Sequence, residues 1–78
     1  MSNPAIAPEP PIEIQRAVLS HEIAMWTTTR YQCEVRLRVQ KKIEGEREII
    51  DGLIADLERC ETALDALNAE LDALGVAI

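Results

Sequence analysis

Aromatic residues are almost absent from this chain of 78 residues, which has one Trp (Trp26), one Tyr (Tyr31) and no Phe. This scarcity argues against a core of packed rings and against a stacking platform for nucleic-acid bases. Basic residues are also few, with 8 Lys plus Arg against 14 Asp plus Glu, so the net charge is −6. Because binding to phosphates needs a basic surface, nucleic acid is not the expected partner.

Long apolar runs are missing as well. The longest uninterrupted one, Ile23 to Trp26, is far shorter than the roughly 20 residues of a membrane-spanning helix. No Lys or Arg precedes Arg16 and no apolar run follows the first residues, so a secretory signal peptide is not expected. These absences predict a cytoplasmic chain without a membrane segment.

Residues that carry out catalysis or bind metals are equally sparse. His21 is the only histidine, and no carboxylate lies three or four residues from it to form an acid–base pair. Cys33 and Cys60 are too far apart in sequence for a CxxC redox motif or a zinc knuckle. A glycine-rich phosphate loop is also missing. The sequence therefore predicts no enzymatic activity, no cofactor, no metal ion and no small-molecule substrate.

Proline and glycine divide the chain into three parts. All four prolines lie in residues 1–11, which predicts a mobile, proline-rich N-terminal arm. The first glycine is Gly45, so a first helix is expected over about 12–44 and a turn near 45. A second helix is expected over about 47–74, ending before Gly75, and residues 12–78 then form a single helical-hairpin domain.

The second helix has the strongest pattern in the sequence. Its apolar residues recur at alternating spacings of three and four over about four heptads, which is typical of a coiled-coil seam. The members of this seam are Ile50, Leu53, Leu57, Cys60, Leu64, Leu67, Leu71 and Leu74. Gly52 lies opposite the seam, and close packing at the seam does not explain it.

Charge favours antiparallel pairing of the two helices. Residues 1–42 have a net charge of +2, whereas residues 43–78 have a net charge of −8. Folding at Gly45 brings the basic end of the first helix beside the acidic second helix. It also brings five apolar residues of the first helix alongside the seam, namely Leu19, Ile23, Trp26, Cys33 and Leu37. An antiparallel dimer of continuous long helices gives the same juxtapositions, but the hairpin is preferred.

The same register brings Cys33 and Cys60 to similar heights. A disulfide between them is geometrically possible if their Cα atoms lie within about 7 Å. Free cysteine usually behaves as a small buried apolar residue, and cytoplasmic thiols stay reduced. We therefore expect two reduced thiols.

The first helix is apolar on a second, nearly opposite side. The residues of this second apolar face are Ile14, Val18, Met25, Val35, Val39 and Ile43. A helix that is apolar on both sides must be covered on both. The predicted fold is therefore all-α: an antiparallel two-helix hairpin, coiled-coil-like, that self-associates into a four-helix bundle, as a homodimer of hairpins.

This architecture predicts a protein that acts by binding other proteins. The first hypothesis is a small non-catalytic coiled-coil assembly module, an adaptor or scaffold with a protein partner yet to be identified, of a kind found among accessory proteins of bacteria and phages. The alternative is an acidic regulatory inhibitor, similar to an antitoxin or an anti-factor, that covers a basic site on its partner. A third hypothesis is nucleic-acid binding through the basic stripe from Arg30 to Lys42.

Overall fold

The computed structural model describes residues 9–76, which form two α-helices that pack side by side. Helix α1 spans Ile12–Lys42, helix α2 spans Arg47–Val76, and a turn of residues 43–46 joins them. At 31 and 30 residues, each helix is about 45 Å long. The described residues thus form an antiparallel helical hairpin without strands, which confirms that part of the predicted fold. Residues 1–8, most of the predicted N-terminal arm, lie outside the described residues.

Helix α1 begins directly after two prolines. The carbonyl of Pro11 accepts hydrogen bonds from the amides of Ile14 and Gln15, each at 3.0 Å. The Gln15 side-chain amide donates to the Pro10 carbonyl at 2.7 Å. Proline suits this position because the first-turn amides have no partner within the helix, and Glu13 adds a favourable negative charge there.

Three consecutive threonines in the middle of α1 do not interrupt it. The hydroxyls of Thr27, Thr28 and Thr29 each donate to the carbonyl four residues earlier, at 2.7, 3.0 and 3.0 Å. These bonds satisfy the hydroxyls locally, so the β-branched run stays helical.

The turn closes α1 with a Schellman motif that uses glutamate where glycine is usual. Glu44 has a φ of 54°, in the left-handed region. The Gly45 amide donates to the Gln40 carbonyl at 2.8 Å, and the Glu44 amide donates to Lys41 at 3.4 Å. A Cβ at Gly45 would meet the end of the Gln40 side chain, which would have to move, and would lie 3.3 Å from the Gln40 carbonyl oxygen. Helix α1 therefore ends two residues before the predicted 44.

The second helix continues past its predicted end. Helix α2 includes Gly75 and reaches Val76, whereas the prediction ends it at 74. Nothing lies within 4 Å of a Cβ built on Gly75, and its φ is not positive, so the glycine does not form a left-handed cap.

The two helices meet along one apolar strip, which we call the inner seam. Of the described side chains only Cys33, Cys60 and Leu64 are buried. The other predicted seam residues are half-buried, namely Leu19, Ile23, Trp26 and Leu37 of α1 and Ile50, Leu53, Leu57, Leu67, Leu71 and Leu74 of α2. A core with so few fully buried residues is small for a domain that folds alone.

Ion pairs do not bridge the helices. The three found among the described residues are Arg30–Glu34, Arg47–Asp51 and Arg59–Asp56, all within a single helix. The antiparallel arrangement follows the predicted charge pattern, but the expected basic-to-acidic pairs across the hairpin are not formed in residues 9–76. Partners three or four residues apart are already neighbours on a helix, so the local pairs form instead.

Gly52 lies in the interior of α2 on its exposed side. A Cβ built there meets nothing within 4 Å. We expect Gly52→Ala to raise the free energy of unfolding by about 0.5–1 kcal/mol, because alanine loses less backbone freedom in a helix. Urea unfolding at one protein concentration measures this, with Ala55→Gly as the reverse control at an exposed neighbour. A loss on Gly52→Ala would mean that the glycine meets another molecule.

Candidate functional site

Two cysteines face each other at the centre of the inner seam. Cys33 and Cys60 are 5% and 2% exposed, and both are free thiols. Their side chains are close enough to share a hydrogen bond. Burial raises the pKa of the Cys60 thiol above its usual value, and the neighbouring Cys33 raises it further. A buried thiol with a raised pKa is a poor nucleophile, so Cys60 serves as a packing residue of the inner seam.

The raised pKa of Cys60 has a consequence for stability. Because the thiol ionises more readily in the unfolded chain, its contribution is fully present below about pH 8.5 and is lost as the pH rises beyond that. We expect the stability difference between the natural chain and Cys60→Ala to shrink between pH 8 and pH 10. Urea unfolding with reductant across this range gives the result. Parallel pH profiles for the two proteins would contradict it.

His21 does not belong to a catalytic or metal-binding cluster. Within residues 9–76, no group of three His, Cys, Asp or Glu side chains is placed to hold a metal ion. His21 is exposed on α1 and borders a shallow groove that is also lined by Ala24, Met25, Thr28, Thr29 and Gln32. His21 therefore lines a groove into which an apolar side chain could insert.

The second apolar face of α1 points away from α2. Ile14, Val18, Met25, Val39 and Ile43 are between 48% and 64% exposed. Val35, the remaining predicted member, is half-buried. The five exposed residues lie away from the main contact between α1 and α2, although Glu70 of α2 borders the same groove as Val18.

This face is longer and more regular than its apolar residues alone indicate. The polar residues His21, Thr28 and Gln32 occupy the gap between Val18 and Val35. With them the spacing is an unbroken alternation of four and three from residue 14 to 39. We call this set the outer seam, and its members are Ile14, Val18, His21, Met25, Thr28, Gln32, Val35 and Val39. The heptad spacing in the sequence identifies all eight residues once polar residues are accepted at seam positions.

Charges along α1 are unevenly divided between its ends, since the charged residues of its first half, apart from Arg16, are acidic. Glu13 and Glu22 lie in the first half, whereas Arg36, Arg38 and Lys42 lie near the C-terminal end. None of these five forms an ion pair with any residue in the described range. The Arg38 guanidinium lies 5.9 Å from the centre of the Tyr31 ring. The flanks of the outer seam thus carry charges that are still available to a partner.

Neither helix of the described chain carries an apolar stretch that could cross a bilayer. Comparison of the chain with models of protein families, with curated proteins and with solved structures finds no match in any of the three. The outer seam and the charges beside it are therefore the features on which a functional proposal can rest.

Proposed function

We propose that this protein is a non-catalytic coiled-coil assembly module, an adaptor or scaffold that associates through the outer seam of α1. Covering that seam with helices of another hairpin gives a four-helix bundle, with a homodimer as its simplest form. The observation that carries the proposal is the exposure of Val18, Met25 and Val39 on a helix whose other side is already packed. Large apolar side chains that share one exposed side of a helix are typical of interaction surfaces.

The small inner seam supports the same proposal. Only three described side chains are buried inside one hairpin, whereas Ile14, Val18, Met25 and Val39 of the outer seam stay about half exposed. Burying an apolar side chain contributes about 1.5–3 kcal/mol, so covering the outer seam adds stability that one hairpin lacks.

Sedimentation equilibrium with reductant, beside far-UV circular dichroism, tests the proposal. We expect a helical dimer whose dissociation constant changes less than about threefold between about 0.1 and 0.5 M NaCl, because apolar contacts are not screened. Val18→Glu would bury an unpaired charge and should raise the dissociation constant about a hundredfold. Ser20→Glu, at an exposed position outside the seam, is the matched control. A salt-insensitive monomer of high helicity would contradict self-assembly.

An acidic inhibitor is the second candidate function. Helix α2 presents a row of exposed carboxylates that form no ion pair with α1 among the described residues, namely Glu58, Glu61, Asp65 and Asp72. Such a surface would bind a basic site on another protein. Salt distinguishes the two functions, because affinity carried by these carboxylates would fall steeply with ionic strength.

A further inference from the structure

The arrangement of residues along the outer seam selects a particular partner. Apolar residues occupy both ends of the seam, with Ile14 and Val18 at one end and Val35 and Val39 at the other. A second copy of α1 running in the opposite direction can place its Val39 against Ile14 and its Val35 against Val18. Each contact occurs twice around a two-fold axis, so one register covers both apolar ends.

The polar middle of the seam fits the same register. His21 then faces Gln32 of the second copy, and the imidazole and the side-chain amide have complementary donors and acceptors. Met25 faces Thr28 of the second copy and enters the groove that Thr28 and Thr29 line. The Thr28 hydroxyl already donates to the Ala24 carbonyl, so its burial leaves no unsatisfied donor.

The charged residues of α1 favour an antiparallel over a parallel pair of α1 helices. In a parallel pair, Arg36, Arg38 and Lys42 would lie beside their own copies, and like charges would repel. In the antiparallel pair this basic end lies beside Glu13 and Glu22 of the other copy. Side chains on a helix lean toward its N-terminus, so Glu22 and Arg36 of opposed helices lean toward each other.

We propose that the partner of the outer seam is a second copy of this chain, bound antiparallel, with the two-fold axis at the level of Trp26 and Thr27. This inference rests on the proposed assembly function and gives it a partner and an orientation. The apolar ends supply the affinity, while the pairing of Glu22 with Arg36 fixes the direction.

Charge reversal with rescue tests the orientation, measured by sedimentation equilibrium at about 50 mM salt, where screening is weak. Arg36→Glu should raise the dimer dissociation constant about tenfold, because two symmetry-related attractions become repulsions. The double variant Glu22→Arg with Arg36→Glu restores opposite charges and should return it to within about threefold of the natural value. Arg59→Glu makes the same change in net charge at an exposed position on α2, away from the outer seam, and should leave the dimer intact.

The outcomes separate the two proposals. Circular dichroism should show that each variant keeps its helices, since Arg36 and Arg59 are exposed in the hairpin. The antiparallel arrangement is overturned if Arg36→Glu leaves the dimer dissociation constant unchanged, or if the double variant does not restore it. Either result leaves the proposed assembly function in place. A natural chain that stays a folded monomer up to about 1 mM overturns self-association itself and assigns the outer seam to a different protein.

Discussion

Leu64→Ala should lower the free energy of unfolding by about 2–5 kcal/mol, including its share of any dimer. Leu64 is 8% exposed and lies one turn after Cys60, so these two residues form the buried strip of α2. Removing the isobutyl group leaves a cavity that two long helices, held together along their length, cannot fully close. Urea or thermal unfolding at a fixed protein concentration measures the loss.

Glu58→Ala is the matched control for this variant. Glu58 is exposed on the same helix, and its backbone carbonyl, which accepts the Thr62 hydroxyl at 3.0 Å, survives the substitution. We expect its stability to change by less than about 0.5 kcal/mol. An unchanged melting temperature for Leu64→Ala would mean that the inner seam is not the core, and a large loss for Glu58→Ala would mark the acidic side of α2 as an interface.

The inner seam could be predicted because its signal is local and repeated. The spacing of three and four in α2 requires only that apolar residues share one side of a helix, and residues from Ile50 to Leu74 satisfy it without exception. Folding at Gly45 then determines which residues of α1 lie opposite, and Cys33 does meet Cys60. The hairpin therefore follows from periodicity together with one turn signal.

The turn geometry and the ion pairs could not be predicted in the same way. Glycine preference points to Gly45 as the left-handed residue, yet Glu44 takes that conformation and Gly45 does not. The local hydrogen bonds of Glu44 and Gly45 close α1, and glycine preference alone does not specify which of the two residues becomes left-handed. Charge totals likewise predicted the antiparallel direction, but individual side chains such as Arg30 pair within their own helix.

The outer seam shows a different limit. Its apolar members are found by their position on the helix, whereas His21, Thr28 and Gln32 are passed over because a search for apolar residues excludes them. Polar residues at seam positions lower affinity but specify register and orientation. His21, Thr28 and Gln32 are therefore the seam residues expected to specify the register and orientation of the partner helix.

Glu44→Pro should destabilise the hairpin by about 3 kcal/mol or more. Proline fixes φ near −65°, whereas Glu44 has a φ of 54°, and the substitution removes the amide that donates to Lys41. It also disfavours the conformation of the preceding Ile43, whose φ and ψ are −90° and 7°. Three features of the turn are lost together, and unfolding experiments should show the loss at any salt concentration.

Arg47→Pro is the control for the turn, since it places proline at the first residue of α2, where no amide partner is needed. Its cost should stay within about 1 kcal/mol, because the lost Arg47–Asp51 pair is exposed. Glu44→Gly gives the opposite sign: relief of the left-handed strain should raise stability by about 0.5–1 kcal/mol. In a continuous helix through residue 44 the same glycine would lower stability by about 1 kcal/mol, so the sign of this one change distinguishes a turn from an unbroken helix.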